Sequence, residues 1–128
     1  WAAAELRGVG QRRTGPRVLS YDVWATVEPA PDRFSTYLDL GNMTSNVAPM
    51  WRKACPDLDG LAGIHGKKGA EISDALNTGL RFMFWNRHEL ERLNPPNGWG
   101  NYPAAFRYFA RITRAAQEHP GATFHVDR

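Results

Sequence analysis

Apolar and polar residues alternate from Tyr21 to Val27. Tyr21, Val23, Ala25 and Val27 fall on one side, Asp22, Trp24 and Thr26 on the other. A period of two is that of a half-buried strand. Pro29-Ala30-Pro31-Asp32 supplies turn chemistry. A second alternation follows, with Phe34, Thr36, Leu38 and Leu40 opposed to Ser35, Tyr37 and Asp39. The short gap between the two runs predicts an antiparallel hairpin. Gly41 is expected to end the second strand. The polar run after it offers N-caps to a short helix, Val47 to Ala54, with Pro49 in its first turn.

After a loop from Leu61 to Lys68 the period becomes helical. From Gly69 onward Ile72, Ala75 or Leu76, Leu80 and Met83 recur on one face, with Phe84 beside them and Glu71, Asp74 and Asn77 elsewhere. Gly79 costs such a helix about 1 kcal/mol against Ala unless close packing requires it. Asn86 with Glu89 three residues on has the form of a capping box, so the helix is expected to break at Trp85 and restart through Leu90 and Leu93. A last helix runs from Pro103 to about Glu118, with Asn101 or Tyr102 before it. Its core stripe is Phe106, Phe109, Ile112, Thr113 and Ala116. Ala122, Phe124 and Val126 then alternate with Thr123 and His125 as a closing strand, expected beside the first.

The sum is one α+β domain over residues 20–128. It has a small antiparallel sheet, two N-terminal strands plus the C-terminal one, with three to four helices packed on one face. Between the last helices lies Asn94-Pro95-Pro96-Asn97-Gly98-Trp99-Gly100-Asn101-Tyr102-Pro103. Its prolines fix φ, its glycines permit positive φ, and its asparagines bond to nearby backbone. That composition describes a rigid, shaped loop rather than a linker.

Composition sharpens this picture in a few places. A chain of 128 residues has room for one core, and 42% hydrophobic content supports a folded globule. The net charge of +3 is partly local, because Arg7, Arg12, Arg13 and Arg17 stand against Glu5 alone in the first 17 residues. The remainder is close to neutral, which argues against a domain-wide nucleic-acid surface. Residues 1–19 read as a disordered basic extension, or as sequence translated ahead of a start at Val18 or Leu19. Nucleic-acid contact is expected only through this arginine arm. Cys55 is the single cysteine, which excludes an internal disulfide and suits a reducing cytoplasm. No apolar run approaches a membrane span, so a soluble cytoplasmic protein is expected.

Three blocks carry a resemblance. They are Ser20-Tyr21-Asp22-Val23-Trp24, the run from Gly41 to Ala54 with its Asn-Met-Thr-Ser-Asn core, and Asn94-Pro95-Pro96-Asn97-Gly98-Trp99-Gly100. Together they resemble an uncharacterised family of small proteins from actinobacteria and their bacteriophages. The resemblance covers residues 20–126 in outline. It implies an actinobacterial or phage setting and brings no activity with it.

The candidate chemistry is that of binding. Asn42, Thr44, Ser45 and Asn46 precede a helix, where amides, hydroxyls and free backbone N–H groups suit an anionic or amide-bearing ligand; alternatively they only cap that helix. Trp51 offers an indole beside the cations Arg52 and Lys53, either for stacking on a nucleotide-like ligand or as core. Trp99 and Tyr102 are each an anchor into the core or a stacking surface, and Asn94 and Asn97 accompany them. These two segments are expected to converge on one concave pocket for a small anionic or nucleotide-like ligand, making a non-catalytic binding module without cofactor. The alternatives are a protein-interaction module, with a host protein as partner, and a small hydrolase or transferase using His65 with Asp22 or Asp39. No histidine pair has metal-ligand spacing, so no metal is expected. Phosphate-cradling glycine loops, Gly-x-Ser-x-Gly, His-Glu-x-x-His and Cys-x-x-Cys are all missing from the sequence.

Overall fold

The structure is a computed structural model that describes residues 19–29, 31, 34 and 36–128. Residues 1–18 of the arginine arm, and Ala30, Asp32, Arg33 and Ser35 of the first hairpin, lie outside those residues. Strands β1 (Ser20–Val27) and β2 (Thr36–Thr44) pair antiparallel, and β3 (Thr123–Asp127) pairs antiparallel on the other side of β1. The sheet order is β2-β1-β3, so the closing strand does lie beside the first. Alternation sorts the faces of β1 and β3 as read, whereas Phe34, expected on the apolar side of the second strand, precedes β2 and is 90% exposed. Tyr21, Val23, Ala25 and Phe124 are buried under the helices. Asp22, Trp24 and Thr26 share the opposite face with their cross-strand neighbours on β2 and β3.

Gly41 does not end the second strand. The pairing shifts register between Asp22 and Trp24, and β2 continues to Thr44. Gly41 adopts φ +85° at this irregularity, and a Cβ there would lie 3.0 Å from Arg111 Nη1. The carbonyls of Leu40 and Gly41 accept from the Arg111 guanidinium at 3.1 Å and the Tyr108 hydroxyl at 2.8 Å. A glycine that looked like a stop is the residue that lets the strand bend and go on.

A 3₁₀ turn, Ser45–Val47, leads into helix α1 (Ala48–Ala54), followed by single turns at Pro56–Leu58 and Ala62–Ile64. Helices α2 (Gly69–Trp85), α3 (Arg87–Glu91) and α4 (Tyr102–Glu118) complete the layer. Gly79 is explained by packing: a Cβ would meet Cys55 Cβ and Phe109 Cζ, each at 3.0 Å, where α2 crosses the end of α1 and the middle of α4. The break after Trp85 occurs as read, but not through a capping box. Asn86 Nδ2 donates instead to the Phe82 carbonyl at 2.9 Å, closing α2 from its C-terminal side. On α4 the core stripe includes Ala105, Tyr108 and Ala115, while Phe106 is only partly buried.

The segment His65–Lys68 is more than a loop. Gly66 N–H donates to the Phe124 carbonyl at 2.7 Å, Phe124 N–H to the Lys67 carbonyl at 2.9 Å, and Val126 N–H to His65 Nδ1 at 3.0 Å. These bonds occupy the outer edge of β3, which would otherwise offer a template for another strand. Among the described residues no helix is long and apolar enough to cross a membrane.

Candidate functional site

The rigid loop is built by its asparagines. Asn97 Oδ1 accepts from Trp99 N–H at 2.9 Å, Asn94 Oδ1 from Tyr102 N–H at 2.9 Å, and Asn101 Oδ1 from Ala104 N–H at 3.0 Å as the N-cap of α4. Gly100, at φ +91°, is pressed against the other predicted segment. A Cβ there would stand 2.7 Å from both Thr44 Cγ2 and Val47 Cγ1. The two segments therefore converge as expected. They meet in van der Waals contact, so the space between them at Gly100 is filled rather than open.

Half of the polar run is consumed by local structure. Thr44 Oγ1 accepts from Asn46 N–H at 3.3 Å, and Ser45 ties back to the Leu19 carbonyl through both its N–H (3.0 Å) and its hydroxyl (3.1 Å). Asn42 and Asn46 are exposed, and Arg52 projects from α1 into solvent. Trp51 corrects the stacking expectation, being 0% exposed. Its Nε1–H donates to the Ala105 carbonyl at 3.1 Å, and its ring lies against Tyr21 and Tyr108. Tyr102 is likewise an internal anchor. It is buried, its hydroxyl donates to the Met83 carbonyl at 2.6 Å, and Arg87 sits over its ring. Neither ring is available to a ligand from outside.

The acid–base candidates share a region but not the geometry. Asp22 pairs across the sheet with Asn42 and Asp127, whereas Asp39 pairs with Trp24 and accepts from Gly41 N–H at 2.8 Å. Beside this face His65 and His125 stand edge to face with centroids 5.9 Å apart. Because His65 Nδ1 accepts the Val126 N–H, its ring proton resides on Nε2. That tautomer has a donor to offer and its lone pair already engaged, the reverse of what a general base or metal ligand needs. His125 stacks on Trp24 and shares a 3.1 Å hydrogen bond between Nε2 and Thr26 Oγ1. Burial, and secondarily His65, hold its pKa below the ordinary value.

Cys55 is buried and donates weakly to the Ala75 carbonyl at 3.5 Å. Burial pushes its thiol pKa up, with Asp57 adding to the rise and the Leu58 backbone opposing it. A thiol held in its protonated form is a small apolar residue, not a nucleophile. Among the described residues no group of three or more His, Cys, Asp or Glu could hold a metal ion.

At the far end of α2 the expectation that Phe84 sits beside the core stripe does not hold. Phe84 and Trp85 are 60% and 77% exposed, packed edge to face with centroids 5.0 Å apart. Trp99 is 51% exposed, so of its two expected roles that of core anchor does not hold. Trp99 lies three residues before Tyr102, whose hydroxyl reaches the carbonyl of Met83 beside the aromatic pair, while its neighbour Gly100 packs on Thr44 and Val47. Arg81 lies one helical turn before Phe84 and Trp85, within side-chain reach of both. The signal was present in the periodicity. With Ile72, Leu76, Gly79 and Met83 facing inward, the next two residues are rotated off the core stripe.

The charges around this end are uneven in their pairing. Glu89 is bound by Lys53 at 2.9 Å and Glu91 by Arg87 at 3.1 Å, with His88 alongside. Arg81 and Arg92 are exposed and have no carboxylate partner among the described residues. The acids are thus neutralised internally while two guanidinium groups are left uncompensated. Comparison of the chain with protein-family models, with curated proteins and with solved structures returns no match.

Proposed function

We propose that the protein is a non-catalytic binding module whose aromatic end docks an acidic segment of a protein partner. The observation that carries this reading is the Phe84–Trp85 pair, two large rings standing outward on a seventeen-residue helix. Neither ring contributes to the core, and contiguous exposed aromatics on a folded domain mark interaction sites. Tryptophan and arginine dominate the binding energy of protein interfaces, and Arg81 and Trp85 share one face of α2. The uncompensated cations Arg81 and Arg92 set the sign of the partner, since complementary charge governs encounter and register. Helix α2 is anchored by Ile72, Leu76 and Met83 in the core, so the rings are presented on a rigid element.

The test compares the wild-type chain with a Phe84→Ala/Trp85→Ala variant, each purified under native conditions from the same host cells. The variant is expected to melt within about 2–3 °C of wild type, because exposed side chains away from structural features contribute little to stability. It is expected to lose a protein that wild type retains, and crosslinks from wild type should map to an acidic segment of that protein. Equal retention by both forms would remove these rings from the interface. Crosslinks mapping to a second copy of the same chain would replace the acidic partner with self-association.

A further inference from the structure

A second site shares no residue with the Phe84–Trp85 pair and does not depend on it. The start of β1, the Ser45–Val47 turn and one face of α1 enclose an open cleft of about 550 Å³, lined by Leu19, Tyr21, Ser45, Ala48, Arg52 and Arg128. Its volume falls within the range of small-molecule sites, roughly 300–1,000 Å³. Its wall divides into two kinds of surface. Leu19, Tyr21 and Ala48 supply mainly apolar surface, while Arg52 and Arg128 are the cations in the same lining. Ala48 and Arg52 are four residues apart on α1, which aligns apolar floor and cation along one helix face.

Each donor here has a definite status. The Ser45 hydroxyl proton is committed to the Leu19 carbonyl at 3.1 Å, so serine shapes the wall without donating to a ligand. The guanidinium groups of Arg52 and Arg128 have no carboxylate partner among the described residues. Two planar cations facing a cavity with an apolar floor are complementary to one chemical class. We infer that the cleft binds a small amphiphilic anion, its carboxylate or phosphate held by Arg52 and Arg128 and its apolar body resting over Leu19, Tyr21 and Ala48. Guanidinium forks match both oxyanions bidentately, so the chemistry shared by the two is what the site reads.

Phenyl phosphate, benzoate, inorganic phosphate and benzyl alcohol separate the two halves of the claim when each is titrated into the full chain and followed by NMR chemical shifts. Phenyl phosphate or benzoate should bind at least tenfold more tightly than either inorganic phosphate or benzyl alcohol, with shifts centred on Leu19, Ala48 and Arg52. Whichever of the two aromatic anions binds more tightly identifies the preferred oxyanion. Arg52→Gln should weaken that binding tenfold or more. Arg52 is exposed and unpaired, so this variant should keep the wild-type spectrum elsewhere, and Arg128→Gln repeats the test at the other wall. The inference is overturned if no probe saturates at millimolar concentration, if inorganic phosphate binds as tightly as the aromatic anions, or if both arginine variants bind like wild type. None of these outcomes bears on Phe84 and Trp85.

Discussion

At the scale of single residues, histidine shows most clearly how the fold decides chemistry. His65 was a candidate base because it stood in a loop beside glycine. In the fold its Nδ1 is the acceptor that pins Val126, so it serves the sheet edge. His125, which had no assigned role, is the one whose protonation the fold opposes. With a folded pKa below the ordinary value of about 6.5, the unfolded chain binds more protons than the folded one across that window. The contribution of His125 to stability is therefore complete above about pH 6.5. It declines as pH falls toward the folded value, then levels off below it. Urea unfolding at pH 5 and pH 7.5 checks this: wild type should lose more stability on acidification than His125→Gln, and equal losses would contradict it. None of this was legible in the sequence. A histidine's role depends on which ring nitrogen finds a partner, and the partners of both come from elements about 60 and 100 residues distant in the chain.

At the scale of elements, the period of the apolar residues was enough to find all three strands and the two long helices. That pattern is local and follows directly from which face must be buried. What it could not resolve was the continuation of a strand through glycine, because the groups that satisfy the backbone there, Tyr108 and Arg111, arrive from α4. Gly98 and Gly100 give a sharper contrast within one loop. Both have positive φ, but a Cβ at Gly98 would meet nothing within 4 Å, whereas one at Gly100 would collide with the turn at Thr44 and Val47. Gly98→Ala should cost about 1 kcal/mol, the conformational penalty alone. Gly100→Ala should cost about 2–4 kcal/mol, since overpacking adds to that penalty. Chemical denaturation of the two variants measures the difference. Equal effects would mean that the loop does not dock tightly on the start of α1.

At the scale of the whole molecule, the convergence of two distant segments was foreseen and the use made of it was not. The reading placed aromatics where they would line a pocket. The fold instead spends Trp51 and Tyr102 on the core, and spends Asn94, Asn97 and Thr44 on holding the backbone. A tryptophan in a polar context carries no mark in the sequence that says whether its indole N–H will find a carbonyl inside. For Trp51 it does, at Ala105. Trp85 is the opposite case, since helical geometry turns it outward once Met83 is assigned to the core, and Phe84 stands exposed beside it. The fold thereby separates its aromatics into an internal set that fixes the helix layer and an exposed set, Phe84, Trp85 and Trp99 among them.

The most direct measurement is a two-dimensional NMR spectrum of the tryptophan indole N–H groups, assigned by single Trp→Phe variants and recorded while a protein retained by the wild-type chain, and lost by the Phe84→Ala/Trp85→Ala variant, is added. The account predicts that the Trp85 resonance shifts or broadens on binding while that of Trp51 stays fixed. A Trp85 signal that remains unchanged at saturation, with the shifts appearing at other positions, would contradict it.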